Sequence, residues 1–166
     1  GRTQEAWAAG GTWNGCTWNW DGSTITVTST TGGIPTVGRT SYPWYSYVSK
    51  ATKIVVNVKG AIGDNAFYNC RNAATIDLGA NVSSVGASAF YYINCTSSLT
   101  TNLYVRHNGN ISIGINAFNR VSYFSRHPNK LYVHCYPNNN PSSHKATYTQ
   151  TTDVYIYHDL GTTGTW

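Results

Sequence analysis

The sequence predicts a mainly β fold: a stacked solenoid of about three to four irregular coils with short helical turns, preceded by a β-hairpin cap. Three observations carry this expectation. The phrase aliphatic-Gly-x-x-Ala-Phe is written three times, as IGDNAF (62–67), VGASAF (85–90) and IGINAF (113–118). Short apolar or alternating stretches recur around it, namely KIVVNV (53–58), TIDL (75–78), LYVR (103–106), LYVH (131–134) and VYIY (154–157). Upstream, Asp21-Gly22 interrupts one alternating run, CTWNWDGSTITVTST (16–30). A catalytic motif is normally written once, because one site does the chemistry. A phrase that returns every few tens of residues builds structure by stacking.

Each element has its own warrant. Residues 1–10 show no periodicity and are expected to be a tail or linker. Residues 11–50 form the predicted cap. Asp-Gly supplies the positive φ angles of a type I′ hairpin turn, with Trp18 and Trp20 on one face of the first arm and Ile25 and Val27 on one face of the second. The Gly- and Pro-rich segment 31–47 reads as a loop ending in an aromatic cluster. Residues 51–135 hold the repeats, each reading strand, turn, a second short extended piece ending in Gly, then an Ala-Phe turn. Phe67, Phe90 and Phe118 stand 23 and 28 residues apart. Residues 136–166 supply a polar loop, a final capping strand and a tail.

The repeated residue types have physical reasons. Successive units of a solenoid lie one strand spacing apart, about 4.8 Å, so equivalent side chains stack into ladders. Phe67, Phe90 and Phe118 fill the interior, Ala66, Ala89 and Ala117 let the next unit approach, and Gly63, Gly86 and Gly114 permit a backbone bend.

Composition narrows the function classes. The 166 residues fit one domain; 10% are charged, 40% hydrophobic and 14% aromatic. Low charge with many hydroxyls and amides suits an extracellular or particle-surface β protein. With no Met even at position 1, the chain is expected to be a processed form or a piece of a longer protein. No apolar run approaches membrane-spanning length. The net charge of +5 is eleven Lys/Arg against six Asp/Glu, and the scatter of the basic residues (among them Lys50, Lys53, Lys59, Arg71, Arg106, Arg120, Arg126 and Lys130) argues against a nucleic-acid partner. Cys16, Cys70, Cys95 and Cys135 contain no CxxC and no zinc spacing, and are compatible with either two disulfides or buried thiols.

These residues resemble the BspA-like leucine-rich repeat family. The best match is TIDLGANVSSVGASAF (75–90); VNVKGAIGDNAFYNC (56–70) matches through its Cys. A Cys-x-Trp hairpin (Cys16, Trp18, Gly22) and Pro43-Trp44 are similar to the family's N-terminal accompaniment. The resemblance implies a leucine-rich-repeat-type solenoid, inward-facing free Cys70 and Cys95, and a secreted or surface-attached binding protein. Ala73 and Ala74 stand where the family has leucines. Two extra residues precede Cys95, and the third unit has no Cys.

Six carboxylates (Glu5, Asp21, Asp64, Asp77, Asp153, Asp159) and five histidines offer no facing acid pair and no ligand spacing. No G-x-S-x-G elbow or phosphate-cradling loop occurs, so no enzyme, cofactor or metal is expected. The contact candidates are aromatic: Tyr42, Trp44, Tyr45 and Tyr47 in one loop, and Tyr91, Tyr92 and Tyr123 after the repeat phenylalanines. For Trp44, a place capping the first coil is the stronger expectation. The sequons at Asn81, Asn94 and Asn110 matter where the source glycosylates. The expected function is non-enzymatic surface display: adhesion to a protein or glycan. The alternative is a structural subunit of an extracellular filament or a virus-particle fibre, with copies of itself as partners.

Overall fold

The computed structural model of the protein describes residues 8–95, 103–107, 112–118, 130–135 and 153–158. Among them the chain is mainly β, with no α-helix; the only helical pieces are 3₁₀ turns at Arg39–Ser41 and Tyr45–Tyr47. Three antiparallel strands come first: β1 (Ala9–Trp13), β2 (Cys16–Trp20) and β3 (Thr24–Thr28). From β3 onward the pairing is parallel, through β4 (Lys53–Asn57), β6 (Thr75–Leu78), β8 (Leu103–His107), β10 (Lys130–Cys135) and β11 (Asp153–His158). A second parallel sheet joins β5 (Gly60–Ile62), β7 (Val82–Val85) and β9 (Ser112–Ile113). The five apolar stretches marked in the sequence are thus the five parallel strands after β3, and the short extended pieces before each Gly are the second sheet.

Register aligns equivalent residues. Ile25, Ile54, Ile76, Val105, Val133 and Ile156 pair strand to strand along the large sheet. Ile25, Ile54 and Ile76 are wholly buried, as are Val27, Val56 and Leu78 two residues on. Alternation of period two puts Thr26, Val55 and Asp77 on the opposite, partly exposed face. There Lys53 Nζ lies 3.9 Å from an Asp77 carboxylate oxygen, a partly exposed, long pair that contributes little.

Behind the strands the aromatic side chains stack. Trp44, Phe67, Phe90 and Phe118 form one column, with centroid separations of 5.4, 5.2 and 5.1 Å and interplanar angles of 14°, 11° and 2°. Backbone hydrogen bonds run parallel to it: Phe67 N donates to the Ala89 carbonyl and Phe90 N to the Ala117 carbonyl, both at 2.7 Å. The hairpin closes one end, where Trp13 meets Tyr42 and Trp44 edge-on and Trp18 meets Trp44.

Three details differ from the sequence expectation. First, the type I′ turn is at Asn14-Gly15, with φ of 49° and 78°, linking β2 to a strand, β1, that periodicity alone did not mark. Its first residues fall within the stretch expected to be a tail. Second, at Asp21-Gly22 only Gly22 has positive φ, 97°. Asp21 closes that turn instead with its carboxylate, which accepts from Ser23 N at 2.9 Å and Thr24 N at 2.6 Å. Those N–H groups, Thr24 first, hold the Asp21 carboxyl below its usual range. Third, the repeat glycines are not the bend. The left-handed residues are Asn65, Ser88 and Asn116, with φ of 59°, 56° and 60°. Gly63, Gly86 and Gly114 are required because the preceding segment passes too close for a Cβ. At Gly63 an added Cβ would sit 2.5 Å from the Pro35 carbonyl oxygen and 2.7 Å from the Tyr42 hydroxyl.

That contact generates a paired prediction. Gly63→Ala overpacks the joint and is expected to lower unfolding free energy by about 1–3 kcal/mol. Gly32→Ala meets open space and should change it by less than about 0.5 kcal/mol. Urea unfolding of the two variants checks the contrast; equal effects would contradict the assigned role of Gly63.

Candidate functional site

The aromatic loop 39–49 packs against the first Ala-Phe turn, and a cleft of about 180 Å³ lies between them. Arg39, Tyr45, Ser46, Val48, Ser49, Tyr68 and Asn69 line it. The 3₁₀ turns present Arg39 and Tyr45; the repeat presents Tyr68, the residue after Phe67, on the outside of the aromatic column. Tyr68 repeats in the next unit as Tyr91, and the two rings stack at 5.1 Å and 5°. Tyr92 meets both edge-on, 5.7 Å from Tyr68 and 4.4 Å from Tyr91. Its backbone is left-handed, φ 60°, an uncommon state for a bulky residue.

The Arg39 guanidinium carbon lies 4.2 Å from the Tyr68 ring centroid and 5.9 Å from that of Tyr45. Arg71 donates from Nε to Asn69 Oδ1 at 2.8 Å, placing a second guanidinium beside the rim. Burial, then the neighbouring Tyr92 phenol, raises the Tyr68 pKa, against a smaller opposing pull from Arg39. At neutral pH the Tyr68 hydroxyl therefore stays protonated. The cleft combines a cation, a flat exposed ring and neutral hydroxyl and amide groups, which suits recognition. Among the described residues no group of three or more His, Cys, Asp or Glu side chains could hold a metal.

The expected contact residues divide by position. Tyr42 and Trp44 are 1% and 0% exposed, so neither offers a surface to a ligand. Burial is enforced by hydrogen bonding: Trp44 Nε1 donates to the Ala66 carbonyl at 2.7 Å, and the Tyr42 hydroxyl donates to the Asp64 carbonyl at 2.7 Å. Trp44 holds the position in the column that Phe67 holds one unit later. Tyr47 is half-buried against the hairpin, stacked on Trp20 at 5.3 Å. Tyr45, 40% exposed, enters the cleft, and Tyr91 and Tyr92 adjoin it through Tyr68. Tyr123 lies outside the described residues. Arg39, Ser46, Ser49, Tyr68 and Asn69 carried no expectation, although Tyr68 follows Phe67 as Tyr91 follows Phe90, a signal present in the sequence.

The repeat positions are internal. Ala66, Phe67, Cys70, Ala89, Phe90, Cys95, Ala117 and Phe118 are all buried. Cys16, Cys70 and Cys95 are buried thiols outside any disulfide, and burial raises the pKa of Cys70 well above its ordinary value. Asn94 of the second sequon is buried, so its side chain is closed to glycosylation in the folded chain.

A family model described as BspA type leucine rich repeat region matches residues 42–132, in six copies. Among solved structures, a leucine-rich repeat protein from Eubacterium ventriosum ATCC 27560 superposes with a TM-score of 0.55 at 14% sequence identity. The alignment covers 92% of this chain and 44% of that one, so this chain spans less than half of that protein's length. At that identity the likeness concerns fold. No curated protein matches the chain in sequence.

The thiol arrangement is testable. In the native protein at pH 8, alkylation of Cys70, followed by peptide mass mapping, should be at least about tenfold slower than after unfolding. Equal rates would place Cys70 at the surface.

Proposed function

The chain belongs to the BspA-type leucine-rich repeat family, and from that premise we propose that it is a non-enzymatic binding domain, displayed extracellularly or on a particle surface. In this reading the two parallel sheets are the strand ladders of a leucine-rich-repeat solenoid, capped by β1–β3. Proteins of this family are generally surface binding proteins. The observation that carries the reading here is the cleft beside the column. The inward half of each repeat is given over to packing, while Tyr45, Tyr68, Tyr91 and Tyr92 line up on its outside with Arg39 among them. Aromatic side chains at the surface give contact area with little entropy loss on binding. Proteins and glycans are the ligand classes such a surface suits.

A second reading, a subunit of a filament or fibre, has one observation in its favour. The large sheet ends on β1, and β1 pairs only with β2 among the described strands. An edge strand can template pairing with another chain.

Retention of the immobilised chain's ligands from arrays of surface glycans and extracellular proteins separates the readings. The display reading predicts a discrete set of ligands, a monomer by light scattering, and at least about tenfold weaker retention by Tyr45→Ala/Tyr91→Ala at unchanged melting temperature. Fibres or regular oligomers with no ligand retained would favour assembly instead.

A further inference from the structure

Arg39 is exposed at the cleft. Among the described residues it makes no ion pair, and its neighbours are the rings of Tyr68 and Tyr45. Tyr68 is backed by Tyr91 at 5.1 Å and by Tyr92 at 5.7 Å, so the guanidinium lies against a ring that is itself held in place. A guanidinium held over a ring still has N–H groups free for a planar, two-pronged acceptor.

The rest of the cleft states what should accompany that acceptor. At about 180 Å³ it is smaller than the roughly 300 Å³ at which drug-sized pockets begin, so it suits one ring or one terminal residue. Tyr45 offers a flat exposed ring, and Ser46, Ser49 and Asn69 offer hydroxyl and amide groups. An acidic peptide side chain would use the guanidinium and leave the ring and hydroxyls without a role. A sugar acid carries a carboxylate, several hydroxyls and an apolar ring face on a single residue. All three have matching groups within this one cleft.

We propose that the cleft binds the acidic residue of a saccharide, a uronic acid or comparable sugar acid, with Arg39 pairing to the carboxylate and Tyr45 packing on the sugar ring. Arg71, tied to Asn69, adds positive potential at the rim. This rests on the reading of the cleft as the ligand surface, and names the ligand class it takes.

The test is isothermal titration of the full chain with a galacturonic acid oligosaccharide. Its comparators are the neutral galactose oligosaccharide, a sulfated galactose oligosaccharide and an oligoglutamate peptide, using wild type, Arg39→Gln, Arg39→Lys and Tyr45→Ala of matched melting temperature. The expected result is binding of the uronate that weakens about tenfold or more in Arg39→Gln and in Tyr45→Ala, and with rising salt. Arg39→Lys should fall between, because an ammonium keeps the charge and loses the fork. The neutral sugar, the sulfated sugar and the peptide should each bind at least about tenfold more weakly than the uronate. Equal or tighter binding of the neutral sugar, the sulfated sugar or the peptide overturns the sugar-acid assignment; if Tyr45→Ala abolishes that binding, the cleft remains the ligand surface. Uronate binding unchanged in both Arg39→Gln and Tyr45→Ala overturns both, and no binding of the uronate overturns the assignment.

Discussion

The structure depends on stacking equivalent rings at one strand spacing. Parallel strands lie about 4.8 Å apart, and flat rings at the same point of successive units fall at nearly that distance. The column from Trp44 to Phe118 holds centroids 5.1–5.4 Å apart. Such pairs contribute about 0.5–1.5 kcal/mol beyond the area they bury. Once the rings are in line, the backbone around them must approach as closely, and the carbonyls of Ala89 and Ala117 accept the N–H groups of Phe67 and Phe90. The glycines follow from the same constraint: the segment before each lies within contact distance of where a Cβ would be.

The candidate site is the outward consequence of that inward period. A residue adjacent to a stacked phenylalanine is itself placed above its equivalent in the next unit. Tyr68 and Tyr91 therefore stack on the surface at 5.1 Å for the same geometric reason that Phe67 and Phe90 stack inside at 5.2 Å. The loop 39–49 is bound to the first unit through Trp44 and Tyr42, whose polar atoms bond to Ala66 and Asp64 carbonyls. Anchoring the loop places Arg39 over Tyr68. Core packing thus positions the cleft, and the buried part of the aromatic loop orients the exposed part.

Much of this was legible in the sequence where it depends on local period. Alternation at 53–58 and 75–78 marks strands because one face of each is buried. The thrice-written Ala-Phe marks the column because every unit needs the same filler. Trp44 stands 23 residues before Phe67, the interval that separates Phe67 from Phe90, so its place in the column could be counted. The Asn14-Gly15 turn is equally visible, and Asp21-Gly22 is not told apart from it by sequence because both dipeptides share the same conformational preference. Two things had no local signal. Arg39 and Tyr68 are far apart in sequence, and only the docking of the loop brings them together. The role of Gly63 was also hidden, since sequence cannot distinguish a glycine needed for φ from one needed for clearance.

The central claim is that the aromatic column couples neighbouring units, and a double-mutant cycle on Phe67→Leu and Phe90→Leu tests it most directly. Both side chains remain apolar, so the cycle isolates the ring–ring contact. Urea unfolding should show a coupling of about 0.5–1.5 kcal/mol between the two substitutions. Effects that add to within about 0.3 kcal/mol would mean that each ring merely fills its own space, and that the column does not hold the units together.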